Sequence, residues 1–230
     1  MHGVTALELL PVAILGAVLG LDVVSFPQAM ISRPVVAATL GGTLIGESSS
    51  GLLIGAILEL IALETLPCGA SLYPEWGSAA VVGGVIFGSH AGHPAGAMTL
   101  AVAAALATTW VGGWTMVRLR KLNARWAGAR RAALEAGARG SVVSLQLIGM
   151  TADLVRGFLL TAIAYAVLEP LSTFCIARWS VDARLSRGLV VGVAASVAGG
   201  AAWKLFHSTN GARWLFLGGL AAGLFMLFAQ

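Results

Sequence analysis

Charge is scarce in this chain: Asp, Glu, Lys and Arg together make up 10% of its 230 residues, where soluble domains average about 25%. That leaves too few polar groups to clothe a soluble surface. Hydrophobic residues make up 58%, and most of their runs are apolar all round rather than striped, so the chain reads as integral to a membrane. Cysteine is nearly absent. Cys68 and Cys175 show no C-x-x-C spacing, which argues for neither a disulfide framework nor a zinc site; each reads as a small packing residue. The chain also contains no P-loop, zinc-binding helix or catalytic triad, so no catalytic residue, metal ligand or cofactor site is assigned. The opening M-H-G-V-T-A-L-E lacks the basic n-region of a cleavable signal peptide. The first apolar run is therefore expected to remain as a span.

What charge there is lies unevenly. Through Val117 the chain has six acids and one base, Arg33, a net of −5, and the remainder has thirteen bases and four acids, a net of +9. Seven of those bases fall between Arg118 and Arg139. A basic stretch between apolar spans fits an interfacial helical connector on the cytoplasmic side of a bilayer better than a nucleic-acid surface.

The spans are of two kinds. Residues 5–24, 95–117, 142–168, 188–206 and 212–229 are candidate full spans, whereas the apolar runs 34–46 and 51–66 are shorter than the roughly 20 residues a crossing helix needs. Those two are half-spans, broken by glycines and joined by the polar G-E-S-S-S-G. Irregular backbone at membrane depth survives only around protein or a cavity, so such segments point to a transporter's substrate site. Residues 67–76, P-C-G-A-S-L-Y-P-E-W, read as a structured loop beside that site. Pro27 and Pro34 break the chain between Ser25 and Pro34, and after Glu169-Pro170 a connector is expected to about Arg187, with room in it for part of another short helix. We read the fold as all-α, a single polytopic membrane domain over 1–230. Its parts are a first span with a Pro-broken connector (1–33), half-spans with the candidate site (34–76), spans (77–117), a basic cytoplasmic connector (118–141) and C-terminal spans (142–230).

The candidate binding residues come from the half-spans and the loops beside them. Gly51, Gly55 and Glu59 fall at i, i+4 and i+8, a helical stripe in which two missing side chains leave room beside one carboxylate. A carboxylate accepts hydrogen bonds from sugar hydroxyls, an amide such as Gln28 donates and accepts, and an aromatic such as Tyr73 or Trp76 covers an apolar face. Asp22, Ser71 and Glu64 complete the set. Each has a structural alternative: Glu59 as an ion-pair partner of Arg33, Glu64 and Glu75 as solvated or capping acids, Asp153 and Arg156 as an internal pair three residues apart. Gly84, Gly88, Gly92 and Gly96 recur every fourth residue and predict a ridge on which another helix packs. His90 and His93 read as an interfacial turn.

The succession S-R-P-V-V-A-A-T-L-G-G-T-L-I-G, G-L-L-I-G-A-I-L-E-L-I-A-L and L-P-C-G-A-S-L-Y-P-E-W-G resembles the enzyme IIC component of the mannose/sorbose family of bacterial sugar phosphotransferase systems. The likeness is specific over about the first ninety residues. It implies a non-enzymatic translocation subunit in the bacterial inner membrane, working as a hetero-oligomer with the membrane subunit IID. Phosphate for a hexose-type sugar would come from separate cytosolic IIA and IIB phosphohistidine carriers. Family members often carry Q-x-Q-x-S-R-P; here Gln28 holds the first position and Met30 the second, which bears on sugar selectivity. Two other readings stay open on the residues alone: a proton-coupled secondary transporter, and a transport-inactive scaffold or sensor of the same fold.

Overall fold

The computed structural model describes residues 6–22, 25–65, 74–90, 92–206 and 211–228. Every regular element among them is helical: α1 (Ala6–Asp22), α2 (Pro34–Leu44), α3 (Ser48–Ala62) with a 3-10 turn at Leu63–Thr65, α4 (Trp76–Ser89), α5 (Ala97–Ala129), α6 (Arg131–Glu135), α7 (Arg139–Ile176), α8 (Ala183–Phe206) and α9 (Ala212–Phe228). Among the described residues three helices, α5, α7 and α8, are long and apolar enough to cross a membrane, whereas α1 and α9, expected as full spans, have 17 residues each and are not among them. By contrast α2 and α3, at 11 and 15 residues, rise only about 17 and 22 Å, against a hydrocarbon core of about 30 Å. These are the two expected half-spans.

The core forms around α4, which is buried on every side from Gly77 to Gly88. A helix that is apolar all round has no water-facing side to present, and α1, α2, α3, α5 and α7 close over it. Small residues set the spacing. Ala37 and Ala38 of α2 are fully buried, and Ala38 meets backbone from both neighbours: the place of a Cβ on Gly51 of α3 and on Gly84 of α4 is occupied by the Ala38 carbonyl. Gly55 is packed as tightly, since a Cβ there would stand 2.9 Å from Val35 Cα. The room expected beside Glu59 is thus filled by the backbone of α2. The glycine stripe builds helix packing, not a cavity.

Three further expectations change. The predicted glycine ridge does not continue as one helix face: Gly84 and Gly88 meet α2 and the turn after it, and Gly96 lies against the Trp179 ring, while Gly92 and Gly96 take φ of +74° and +88°, conformations that glycine adopts without a Cβ penalty. The basic stretch is helical as expected, and only part of it lies between the long helices as a separate segment, α6. Helix α5 runs unbroken past Val117 to Ala129 and carries Arg118, Arg120, Lys121 and Arg125, and α7 begins at Arg139, so five of the seven bases extend the two crossing helices, while Arg130 and Arg131 lie between them at the start of α6. Finally, α7 continues through Pro170 to Ile176. Pro170 deprives only the Ala166 carbonyl of its donor, and packing of Tyr165 and Ser172, both buried, holds the helix on either side.

Candidate functional site

Residues 25–33 connect the end of α1 to the start of α2, and one carboxylate shapes them. Asp22, the last residue of α1, is 1% exposed and accepts the backbone N–H of Ala29 at 2.7 Å and of Ser32 at 3.0 Å. Hydrogen bonds to an ionised acceptor are about twice as strong as neutral ones. They hold a connector in which Gln28 and Met30 adopt φ of +58° and +61°, left-handed conformations that cost residues with a side chain on the order of 1–3 kcal/mol each. Both residues are exposed. The strain is local, and its result is to present two side chains outward from a rigidly anchored turn.

The turn ends at a second carboxylate. Arg33 precedes Pro34, the first residue of α2, where proline's fixed φ suits a helix start. Glu59 of α3 pairs with Arg33 through Oε1 and accepts the backbone N–H of Val35 through Oε2 at 3.3 Å. An acid placed there satisfies an otherwise orphaned donor of the first turn and the positive end of the helix dipole. The pair stays accessible, with side-chain exposures of 40% for Arg33 and 20% for Glu59. A carboxylate has about four acceptor positions and a guanidinium five donors, so both retain capacity for a polyhydroxylated ligand.

On its other flank the turn reaches a third acid. Ser25 Oγ donates to Asp153 Oδ2 at 2.8 Å, and both line a cavity of about 400 Å³ with Arg120, Asn123, Trp126 and Gln146. The Asn123 Oδ1 atom is buried without a protein hydrogen-bond partner, an acceptor for which a small polar molecule is a natural donor. The volume lies within the range of small-molecule sites.

Behind this cavity lies a buried ionic junction. Arg156 donates from Nη1 to Glu75 Oε2 at 2.8 Å and from Nε to Asp153 Oδ1 at 2.9 Å, with side-chain exposures of 9% for the arginine and 2% for each acid. Glu75 also caps α4 by accepting the Ser78 N–H. The junction therefore ties α4, α7 and the 25–33 turn to one another. Asp153 and Arg156 form the pair their spacing predicts, and Glu75 is a capping acid as expected, but a buried rather than a solvated one.

Of the candidate residues, Asp22, Gln28, Arg33 and Glu59 come together on the 25–33 turn and its anchors. Glu64 lies apart, in the 3-10 turn, paired with Lys204 of α8. Trp76 opens α4 and packs half-buried on the hydrophobic core, while Ser71 and Tyr73 lie outside the described residues. His90 and His93 make a turn, as expected: His90 meets the Ile86 carbonyl and Thr173, and His93 meets Ser50 and stacks on Phe87. No group of His, Cys, Asp and Glu among the described residues is arranged to hold a metal ion. The sequence reading missed the Asn123, Arg120 and Gln146 lining. Its signal was two amides, Asn123 in α5 and Gln146 in α7, each the only side-chain amide of its helix.

The family model described as the sorbose-specific IIC component of the PTS system matches residues 6–223. The chain belongs to this family. Its relatives include the mannose-specific EIIC component of Escherichia coli (strain K12), 30% identical over 104 residues that cover 45% of this chain and 38% of that protein. The fructose permease IIC component of Bacillus subtilis (strain 168) is 29% identical over 82 residues, 36% of this chain and 30% of the relative. The aligned part thus spans under two-fifths of the length of the curated relatives it matches. Among solved structures, one titled "Structure of membrane protein" aligns with a TM-score of 0.73 at 19% identity, covering 96% of this chain and 87% of the other. The mannose transporter ManYZ in complex with microcin E492 aligns with a TM-score of 0.60 at 20% identity, covering 96% and 88%. At these identities the structures speak to fold alone, and the fold is the all-helical one expected of an integral membrane protein of this family.

Proposed function

We propose that this family member is the sugar-translocating permease subunit of a phosphotransferase system in the bacterial cytoplasmic membrane, and that its hexose-type substrate binds at the 25–33 turn. The observation that carries the reading is the turn itself. Asp22 anchors it from behind, two residues stand outward in left-handed backbone, and the accessible Arg33–Glu59 pair lies at its end. Gln28 would donate and accept, Arg33 donate, and Glu59 accept from adjacent sugar hydroxyls, with Met30 supplying an apolar contact where relatives often carry a second glutamine. The protein's work here is binding and positioning of the hydroxyl that accepts phosphate. Phosphoryl transfer belongs in this reading to a separate phosphohistidine IIB subunit charged by IIA, and IID is the membrane partner.

Uptake distinguishes this from carriage driven by an ion gradient. In cells carrying the full set of partner subunits, sugar uptake is expected to require phosphoenolpyruvate and the soluble components and to deliver phosphorylated sugar inside. Uptake of unmodified sugar driven by a proton gradient alone would overturn the proposal.

A further inference from the structure

One stripe of α5 changes character along its length. Leu106, Trp110 and Trp114 face outward, the two tryptophans at 73% and 53% exposure, and the same face continues outward through Arg118, Lys121 and Arg125, all exposed. Apolar, then aromatic, then cationic is the order in which a bilayer presents hydrocarbon, interface and headgroup. The Arg118 guanidinium lies 4.8 Å from the centre of the Trp114 ring, a cation–π contact that holds the charge at the level of the aromatic belt. Beside the stripe, α5 and α7 part to leave an open, almost wholly apolar groove of about 570 Å³, walled by Ala107, Val111 and Thr115 on one helix and Val155, Leu159 and Ile163 on the other. From Ala107 to Arg118 is eleven residues, about 16 Å of helix, close to half of a hydrocarbon core about 30 Å thick. On α5 the groove therefore starts about one helical turn from the first cation, at Thr115, and reaches to about one leaflet's depth from it, at Ala107.

We propose that the groove and the cationic stripe together bind one anionic phospholipid, an acyl chain lying between α5 and α7 and the phosphate over Arg118 with Lys121 on the next turn. Charge selects the class of lipid. Arg118, Lys121 and Arg125 have no acid beside them on the stripe, and the nearest in sequence, Glu135, is engaged by Arg131. A zwitterionic headgroup would bring its own cation to this patch, whereas a phosphatidylglycerol headgroup brings only negative charge. The groove argues for a lipid rather than an acidic soluble protein, since its walls are apolar apart from two threonines and Arg156, and that arginine is already engaged by Glu75 and Asp153.

The test uses the full chain, purified with its membrane partner where the two copurify, delipidated and titrated with dioleoyl phosphatidylglycerol or dioleoyl phosphatidylcholine while retained lipid is counted by native mass spectrometry. The expected result is one phosphatidylglycerol held at least tenfold more tightly than phosphatidylcholine, with inorganic phosphate at the same concentration failing to displace it. Arg118→Gln with Lys121→Gln should abolish the preference between the two lipids. Val111→Trp, which fills the groove and leaves the cations, should lower retention of both. Equal retention of the two lipids, displacement by inorganic phosphate, or unchanged binding in the Val111→Trp variant would each overturn the proposal. So would a groove closed by the partner subunit, seen as protection of 107–115 from deuterium exchange in the delipidated complex but not in the isolated chain.

Discussion

Two arginines in this chain each meet a carboxylate from a distant segment, and they do so in opposite surroundings. Arg156, with Glu75 and Asp153, is sealed between α4, α5 and α7 at 9% exposure or less, whereas the Arg33–Glu59 pair stands 40% and 20% exposed at the end of the 25–33 turn. A sealed ionic group contributes little net stability, yet the loss of one partner strands the others in a medium that cannot solvate them. An accessible pair behaves in the reverse way: its loss costs the fold little, and its spare donors and acceptors remain available to a ligand. The first pair is thus suited to holding helices in register, and the second to recognition.

The largest effect should come from breaking the sealed junction. Arg156→Met leaves Glu75 and Asp153 buried and unpaired, a loss of about 3–5 kcal/mol, which should appear as a sharp fall in thermal midpoint or in the yield of folded protein. Neutralising the acids as well, with Glu75→Gln and Asp153→Asn added, should recover most of it. If the single variant were as stable as the parent, the junction would not be the structural centre described here.

Asp22→Asn comes next and sharpens the comparison, because Asp22 is buried like the junction but serves the turn. The amide keeps one acceptor and loses the charge, so one loop hydrogen bond of roughly 1.5–3 kcal/mol is given up. Deuterium exchange at the Ala29 and Ser32 amides should accelerate while α4 stays protected. Faster exchange throughout the core would instead assign Asp22 to the fold as a whole. Smallest of all should be Glu64→Gln: its partner Lys204 is 68% exposed, and surface pairs of this kind contribute less than about 1 kcal/mol. A thermal midpoint more than a few degrees lower would show that the contact between the 3-10 turn and α8 matters more than its exposure implies.

Much of this arrangement was legible because it is local. Half-spans announce themselves by length, the Asp153–Arg156 pair by a three-residue spacing on one helix, and the Arg33–Glu59 pair by the shortage of other cations in the first half of the chain. Glu75 was read as a surface or capping acid because its partner Arg156 lies 81 positions away, and nothing in a single sequence reports that two such residues meet. The glycines of α3 misled for a related reason. Missing side chains leave room either for a ligand or for another backbone, and only the path of α2 decides that Ala38 and Val35 fill it. Pro170 shows the limit of a local rule, since packing on both sides overrides the helix break that proline predicts. The 400 Å³ cavity was illegible because its lining comes from the turn, the C-terminal half of α5 and the first half of α7, three segments joined only by the fold.

The division between a structural junction and a recognition pair is tested most directly by sugar affinity in the purified, assembled Glu59→Gln complex, normalised to folded protein. Glutamine keeps the shape and one acceptor but removes the charge-assisted part of the hydrogen bonding, roughly 1.5–3 kcal/mol per bond. The expected result is an affinity about 10-fold to 150-fold weaker with a thermal midpoint close to that of the parent. Unchanged affinity, with the loss appearing instead as reduced assembly that a compensating change at Arg33 restores, would contradict the account and leave Glu59 a structural partner only.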